Sequence, residues 1–131
     1  MVFIRKFRHM LYLIRGWPGS GKTTLAKELL AQGKVDVYYE ADMYFESTIL
    51  GYIFEPSKLP QAHAWCLRKT REALEAGLNV AVSNTFTRLW EIFPYCELGY
   101  PYEIIKCEGV YMNTHGVPID KVIQMKARFE E

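Results

Sequence analysis

The most constraining feature of this sequence is the stretch at residues 16–23, which reads GWPGSGKT. It fits the spacing G-x-x-x-x-G-K-[ST] of a phosphate-binding loop. The glycines permit positive φ, so successive backbone N–H groups can turn inward around an anion. Lys22 supplies a mobile positive charge for the β- and γ-phosphates, and the Thr23 hydroxyl supplies a hard oxygen for Mg²⁺.

The flanking residues provide the structural context that such a loop requires. The preceding residues 10–14, MLYLI, form an apolar run of strand length, and residues 23–31 carry Leu and Ala at helical spacing before Gly33. A helix that starts behind the loop directs its positive N-terminal end at the bound phosphates. The predicted nucleotide contacts are Gly16, Pro18, Gly19, Ser20, Gly21, Lys22, Thr23 and Thr24.

Strand and helix patterns alternate along the rest of the chain, which predicts βαβ units and a parallel sheet with helices on both faces. The 131 residues suit one domain, at residues 10–131, preceded by an extension at residues 1–9. That extension is basic and aromatic, so it either contacts nucleic acid or packs loosely on the sheet. Strands are predicted at residues 10–14, 35–40, 78–83 and 102–107, and helices at residues 23–31, 61–76, 88–98 and 119–130.

Composition narrows the class of protein. The net charge of +1 gives no general affinity for polyanions, although residues 1–34 are mainly basic and residues 35–60 mainly acidic. This charge distribution suits phosphate binding by the basic part and metal or proton chemistry by the acidic part. The alternative is that both parts are solvent-exposed surfaces without a functional connection. The three cysteines lack metal-ligand or disulfide spacing, which favours a reducing compartment. No apolar run has the length of a membrane span and no secretory signal is present, so we expect a cytoplasmic protein.

An acidic residue follows the predicted second strand, whereas the third strand lacks one. Asp42 lies at the edge of the sheet where parallel sheets bind ligands, while residues 80–84 read VAVSN. An acid close to the γ-phosphate but off the usual metal-binding strand suits a kinase, in which it accepts the proton of an acceptor hydroxyl. Capping of a helix N-terminus is the alternative role for Asp42.

Several polar residues are candidates for the acceptor side of the site. Ser83, Asn84 and Thr85 could orient metal-bound water or an acceptor hydroxyl, or satisfy their own turn. A cation is also expected over the transferred phosphoryl group, and Arg88 is the first choice for it. The other candidates for a cation or an acceptor contact are His63, Lys106, His115 and Arg128.

Five motifs in the same order resemble the polynucleotide-kinase-like P-loop kinases, which include bacteriophage 5′-hydroxyl polynucleotide kinase and its small phage relatives. The resemblance covers about residues 11–130. It extends to proteins described as AAA-type ATP-binding domains. The motifs are GWPGSGKT at 16–23, ADMYF at 41–45, AHAWC at 62–66, SNTF at 83–86 with Trp90, Glu91, Pro94 and Tyr95 behind it, and NTHGVP at 113–118.

The resemblance implies a sheet of strand order 2-3-1-4 and assigns Asp42 as the general base toward a 5′-hydroxyl. The sequence departs from the family pattern at four positions. Met43 replaces the second acid of the family pattern, and Ser83 replaces an aspartate. Phe86 replaces an asparagine, and Met112 replaces the arginine of the lid.

The function predicted from the sequence is an ATP- and Mg²⁺-dependent kinase acting on a hydroxyl, with a nucleic-acid 5′-hydroxyl as one candidate acceptor. The assigned catalytic residues are Lys22, Asp42 and Arg88. Two alternatives are a small-molecule kinase and a nucleotide-binding module that regulates a partner. A phage-encoded protein of this kind would act in the host cytoplasm.

Overall fold

The computed structural model describes residues 10–47, 51–108, 123–125 and 127–129. Its strands and helices alternate as the sequence predicts. In chain order they are β1 (Leu11–Arg15), α1 (Lys22–Ala31), β2 (Val37–Tyr39), β3 (Glu46–Ser47), β4 (Gly51–Tyr52), α2 (Leu59–Glu75), β5 (Val80–Asn84), α3 (Phe93–Cys96) and β6 (Tyr102–Lys106). Short 3₁₀ turns cover Ala41–Phe45, Pro56–Lys58 and Leu89–Glu91.

Four strands form one parallel sheet in the order β2-β5-β1-β6. Counted along the main sheet, this is the order 2-3-1-4, so the predicted α/β fold is confirmed. The register pairs Leu11 of β1 with Val80 of β5 on one side and with Tyr102 of β6 on the other. Every residue of β5 is buried, as expected for a central strand covered on both faces.

The two faces of the sheet pack on different helices because neighbouring strand residues point in opposite directions. Leu13 and Val82 belong to an apolar cluster with Ala62, Cys66 and Leu74 of α2. On the opposite face, Ile14 and Ala81 pack with Ala26 and Leu29 of α1. The sheet is therefore the middle layer of three.

The predicted helix over residues 88–98 is wrong. The structure instead has the 3₁₀ turn Leu89–Glu91 followed by the short helix α3. Pro94 explains the break, because a proline lacks the N–H for the i−4 bond and clashes with the i−4 carbonyl inside a helix. In the short α3, Pro94 occupies the first turn, where proline is tolerated.

Two further segments have regular structure. The stretch between residues 46 and 60 contains the antiparallel pair β3–β4. Residues 123–125 are helical, within the last predicted helix, and the Arg128 N–H donates to the Gln124 carbonyl at 3.2 Å. In the described part of the chain, none of the helices has the length and apolar character needed to cross a membrane.

Candidate functional site

The glycine-rich loop joins β1 to α1 in the conformation that its glycines allow. Gly19 and Gly21 have φ values of 83° and 101°, in the left-handed region that side chains disfavour. Gly21 is the N-cap of α1, so the first amides of that helix follow directly behind the loop. These amides have no acceptor within the helix and form, with Lys22, a donor set suited to phosphate oxygens.

Gly16 is required for a different reason, which is close approach of neighbouring groups. A Cβ at this position would come within 2.7 Å of the Cys107 carbonyl oxygen and would also collide with Oγ of Ser20. The Gly16 N–H donates to the Thr85 carbonyl at 3.2 Å, which joins the start of the loop to the end of β5. Ser20 itself is buried, and its Oγ has no hydrogen-bond partner among the described residues.

Lys22 begins α1 and turns its ammonium group back over the loop. Its Nζ donates to the Trp17 carbonyl at 3.1 Å. Burial lowers the pKa of Lys22 to about 8, although Glu40, Cys107 and Asp42 act in the opposite direction. A desolvated ammonium group of this kind gains stabilisation from an anion, which suits a phosphate ligand.

Glu40 is a residue of this site that the sequence analysis missed. Thr23 donates from Oγ1 to Oε2 of Glu40 at 3.2 Å, between α1 and the end of β2. The signal that could have found it is its position, directly after β2 and two residues before Asp42 at the same edge of the sheet. The Thr23 hydroxyl, predicted to contact a metal, therefore lies against a carboxylate.

Asp42 lies in the 3₁₀ turn Ala41–Phe45, which follows β2. Its Oδ1 accepts a hydrogen bond of 3.2 Å from the Tyr52 phenol, on β4. The N-cap of the turn is Glu40, so the capping role considered for Asp42 is not seen. The start of the turn is held against β5, because the Ala41 N–H donates to Oδ1 of Asn84 at 2.8 Å.

The residues at the end of β5 are buried, and Asn84 contacts neighbouring elements. Ser83 and Asn84 are both buried. The Asn84 amide spans two elements, since its Oδ1 accepts from Ala41 and its Nδ2 lies 3.8 Å from the Cys66 sulfur of α2. Thr85 accepts the Gly16 N–H with its backbone carbonyl. Asn84 therefore orients the turn that carries Asp42, and its amide is committed there.

The candidate cations Arg88 and Lys106 lie on different elements. Arg88 is exposed at the start of the turn Leu89–Glu91, and its backbone N–H donates to the Glu91 carboxylate at 2.8 Å. Lys106 lies 5.9 Å from the centroid of the Trp17 ring and pairs with Glu108 at 3.8 Å. Of the remaining residues predicted from the sequence, Pro18 is half-buried in the loop. Three are exposed: Thr24 on α1, His63 on α2, and Arg128. His115 lies outside the described residues.

Arg15 is a second residue that the sequence analysis missed. It ends β1 and is only 2% exposed. Its Nη2 and Nε donate to the Phe86 carbonyl at 2.8 and 3.2 Å, and its guanidinium carbon lies 4.2 Å from the centroid of the Phe129 ring. Phe86 has a φ of 47°, which is uncommon for a residue other than glycine. Arg15 therefore holds the segment after β5 in an unusual backbone conformation.

The parallel sheet and the glycine-rich loop between β1 and α1 define a domain with the P-loop NTPase fold. The chain belongs to the AAA domain family, whose sequence profile matches residues 11–114. Human NEDD4-binding protein 2 is 31% identical over 136 aligned residues, which cover 92% of this chain. The chain spans only 8% of the length of that protein.

Solved structures share the fold at low sequence identity. One is the Pnkp1/Rnl/Hen1 complex, with a TM-score of 0.61, 16% identity, and coverage of 90% of this chain and 39% of the other. Another is the APS kinase CysC of Mycobacterium tuberculosis in complex with AMPPNP and APS, with a TM-score of 0.58, 14% identity, and coverage of 89% and 68%. A third is Kti12 of Chaetomium thermophilum with ADP-AlF₃, with a TM-score of 0.55, 16% identity, and coverage of 90% and 66%.

Proposed function

We propose that this protein is an ATP-dependent kinase that transfers the γ-phosphate to a hydroxyl group, and that a nucleic-acid 5′-hydroxyl is the first acceptor to test. One observation carries the proposal: Asp42 follows β2 at the edge where parallel sheets bind ligands, on the same edge as the loop that carries Lys22. The Pnkp1/Rnl/Hen1 neighbour, from an RNA repair complex, supports the choice of acceptor.

In the proposed reaction the loop and the first turn of α1 hold the triphosphate, and Asp42 acts on the acceptor. Lys22 and the first amides of α1 bind the β- and γ-phosphates. Asp42 accepts the proton of the acceptor hydroxyl while the acceptor oxygen forms a bond to the γ-phosphorus. The bond from that phosphorus to the β–γ bridging oxygen breaks, and ADP leaves with the electron pair.

The residues present fit a magnesium–nucleotide complex. The Thr23 hydroxyl is a hard oxygen at the start of α1, beside a carboxylate, and Mg²⁺ in kinases is held by few protein oxygens together with substrate phosphates. Mg²⁺, when bound, supplies neutralisation of charge on the phosphate oxygens. Arg88 is proposed as the cation on the transferred group, which would require its exposed side chain to reach the γ-phosphate.

Transfer of radiolabelled γ-phosphate to a 5′-hydroxyl oligonucleotide tests the proposal. We expect product with the unmodified protein and loss of product with Lys22→Ala and with Asp42→Asn. Undiminished transfer by Asp42→Asn would remove Asp42 as the base. A small-molecule kinase, which the near-neutral net charge favours, would label a small hydroxyl acceptor and leave the oligonucleotide unlabelled.

The other candidate is a nucleotide-binding module that regulates a partner. Residues 108–116, where a lid cation is expected, contain no Arg or Lys. The human relative is mostly composed of other sequence, which is consistent with a domain that works within a larger assembly. Tight ATP binding without transfer to any hydroxyl acceptor would favour this function over the kinase.

A further inference from the structure

The usual source of a metal-supporting acid is missing from this site. In P-loop enzymes the loop hydroxyl and an aspartate at the end of a neighbouring strand hold Mg²⁺ together. Here the neighbouring strand is β5, which ends with Ser83 and Asn84. Ser83 is 1% exposed, and the Asn84 amide is bonded to Ala41 and contacts Cys66. Neither side chain supplies a carboxylate.

Glu40 lies beside Ser83 in the register of the sheet, directly after the neighbouring strand β2. The register pairs Tyr39 of β2 with Val82 of β5, so the residue after Tyr39 stands beside the residue after Val82. Those residues are Glu40 and Ser83. A carboxylate directly after β2 can therefore reach the place that an acid at position 83 would serve, although β2 is one strand further from β1.

The direct contact is with the loop hydroxyl. Oε2 of Glu40 lies 3.2 Å from Oγ1 of Thr23, the oxygen that the loop offers to a metal ion. This contact places the Glu40 carboxylate at the phosphate end of the site.

Asp42, the second acid after β2, makes a hydrogen bond with a different element. Asp42 contacts Tyr52 of β4, whereas Glu40 contacts Thr23 of α1. The two carboxylates thus face different elements, which allows them different roles. Mg²⁺ bound to a nucleotide needs only one or two protein carboxylates besides the phosphates and water.

We propose that Glu40, together with the Thr23 hydroxyl, holds the Mg²⁺ of the bound nucleotide, in place of the acid missing from the end of β5. The proposal rests on nucleotide binding at the loop, which is part of the proposed function, but it does not depend on which acceptor is phosphorylated. It assigns separate roles to the two acids, with Glu40 on the metal and Asp42 on the acceptor.

The test is the Mg²⁺ dependence of nucleotide binding, measured with a fluorescent ATP analogue in EDTA and over a series of free Mg²⁺ concentrations. For the unmodified protein we expect affinity to increase with Mg²⁺. Glu40→Gln should raise the half-saturating Mg²⁺ concentration about tenfold or more, which corresponds to loss of at least 1.4 kcal/mol of coupling. Its affinity in EDTA should stay equal or improve, because a negative charge near the phosphates is removed.

Matched variants separate a metal role from a structural one. Asp42→Asn should keep the full effect of Mg²⁺ on binding while losing transfer, and Glu40→Asp should restore part of that effect. In a double-mutant cycle, Thr23→Ala and Glu40→Gln should be non-additive in their effect on the Mg²⁺ dependence. Circular dichroism of each variant checks that it is folded.

The outcomes are distinct for the two proposals. An unchanged Mg²⁺ dependence in folded Glu40→Gln overturns the assignment of Glu40, even if the protein proves to be a kinase. Loss of the Mg²⁺ effect in that variant, in a protein that phosphorylates no acceptor, supports Glu40 and contradicts the kinase. Absence of nucleotide binding by the unmodified protein overturns both.

Discussion

The phenol of Tyr52 donates a hydrogen bond of 3.2 Å to Oδ1 of Asp42, which joins the small β3–β4 ladder to the turn that follows β2. A phenol that donates to a carboxylate resists ionisation, because the phenolate would face a negative charge. Burial, and after it the charge and hydrogen bond of Asp42, raise the pKa of Tyr52 to about 12. The Tyr52 phenol therefore keeps the proton that it donates at neutral and mildly alkaline pH.

The first prediction concerns this titration. At pH 11 the Tyr52 phenol should remain mostly protonated in the unmodified protein, and Asp42→Asn should lower its pKa because the negative neighbour is gone. NMR of ¹³C-labelled tyrosine measures the change, with Tyr52→Phe assigning the resonance among the nine tyrosines. Asp36→Asn is the matched control, since Asp36 accepts from the Asn79 N–H instead. An equal shift in both variants would contradict the contact.

The second prediction concerns pH and the affinity for nucleotide. Burial lowers the pKa of Lys22 to about 8, so above pH 8 the free protein loses the positive charge that phosphate needs. Binding must then take up a proton, and affinity for ATP should fall about tenfold between pH 7 and pH 9. Calorimetry in buffers of different ionisation enthalpy measures the proton uptake directly.

Two variants test whether Lys22 is the group responsible. Lys22→Met should bind weakly, with little change in affinity between pH 7 and pH 9. Lys27→Met, an exposed lysine on the same helix, should behave like the unmodified protein. If Lys22→Met kept the pH dependence, another group would carry the proton.

The sequence was sufficient for those parts of the molecule that follow from local pattern. The loop at residues 16–23 and the alternation of strands and helices could be predicted because glycine spacing and apolar runs determine them locally. The strand order 2-3-1-4 was implied by the family resemblance, and the structure confirms it. Asp42 was placed correctly at the sheet edge because it comes directly after a strand. Its role as the base remains a prediction.

Residues whose importance comes from strand register could not be found in this way. Glu40 follows the strand sequence VYY, where a charged side chain is usually solvated, and only the pairing of β2 with β5 brings it to Thr23. Arg15 could not be identified because its partner Phe86 lies 71 residues away in the chain. Asn84 was predicted near the site, but its buried bond to Ala41 depends on the same tertiary packing.

The third prediction concerns the buried guanidinium group. Arg15→Met should lower the free energy of unfolding by about 2–3 kcal/mol, because charged hydrogen bonds to the Phe86 carbonyl are lost. Urea denaturation measures this. Arg71→Met, an exposed arginine on α2, should change stability by no more than about 0.5 kcal/mol. Equal effects of the two variants would show that the Arg15 contacts contribute nothing to stability.

The fourth prediction separates the two reasons for which this fold uses glycine. Gly16→Ala places a methyl group against the Cys107 carbonyl and the Ser20 side chain, and a backbone carbonyl cannot move away cheaply. We expect a loss of about 1–3 kcal/mol in stability, as in overpacked cores. Displacement of the loop should also weaken ATP binding at least about tenfold, or 1.4 kcal/mol.

Gly33→Ala is the matched control for Gly16→Ala. Gly33 has a φ of 74°, yet a Cβ there would meet nothing within 4 Å. Its substitution should cost about 1–2 kcal/mol through backbone strain alone, with affinity for ATP unchanged because the residue follows the far end of α1. Thermal denaturation and ATP titration of both variants give the comparison. Normal ATP affinity in Gly16→Ala would show that the close approach of Cys107 and Ser20 does not shape the phosphate loop.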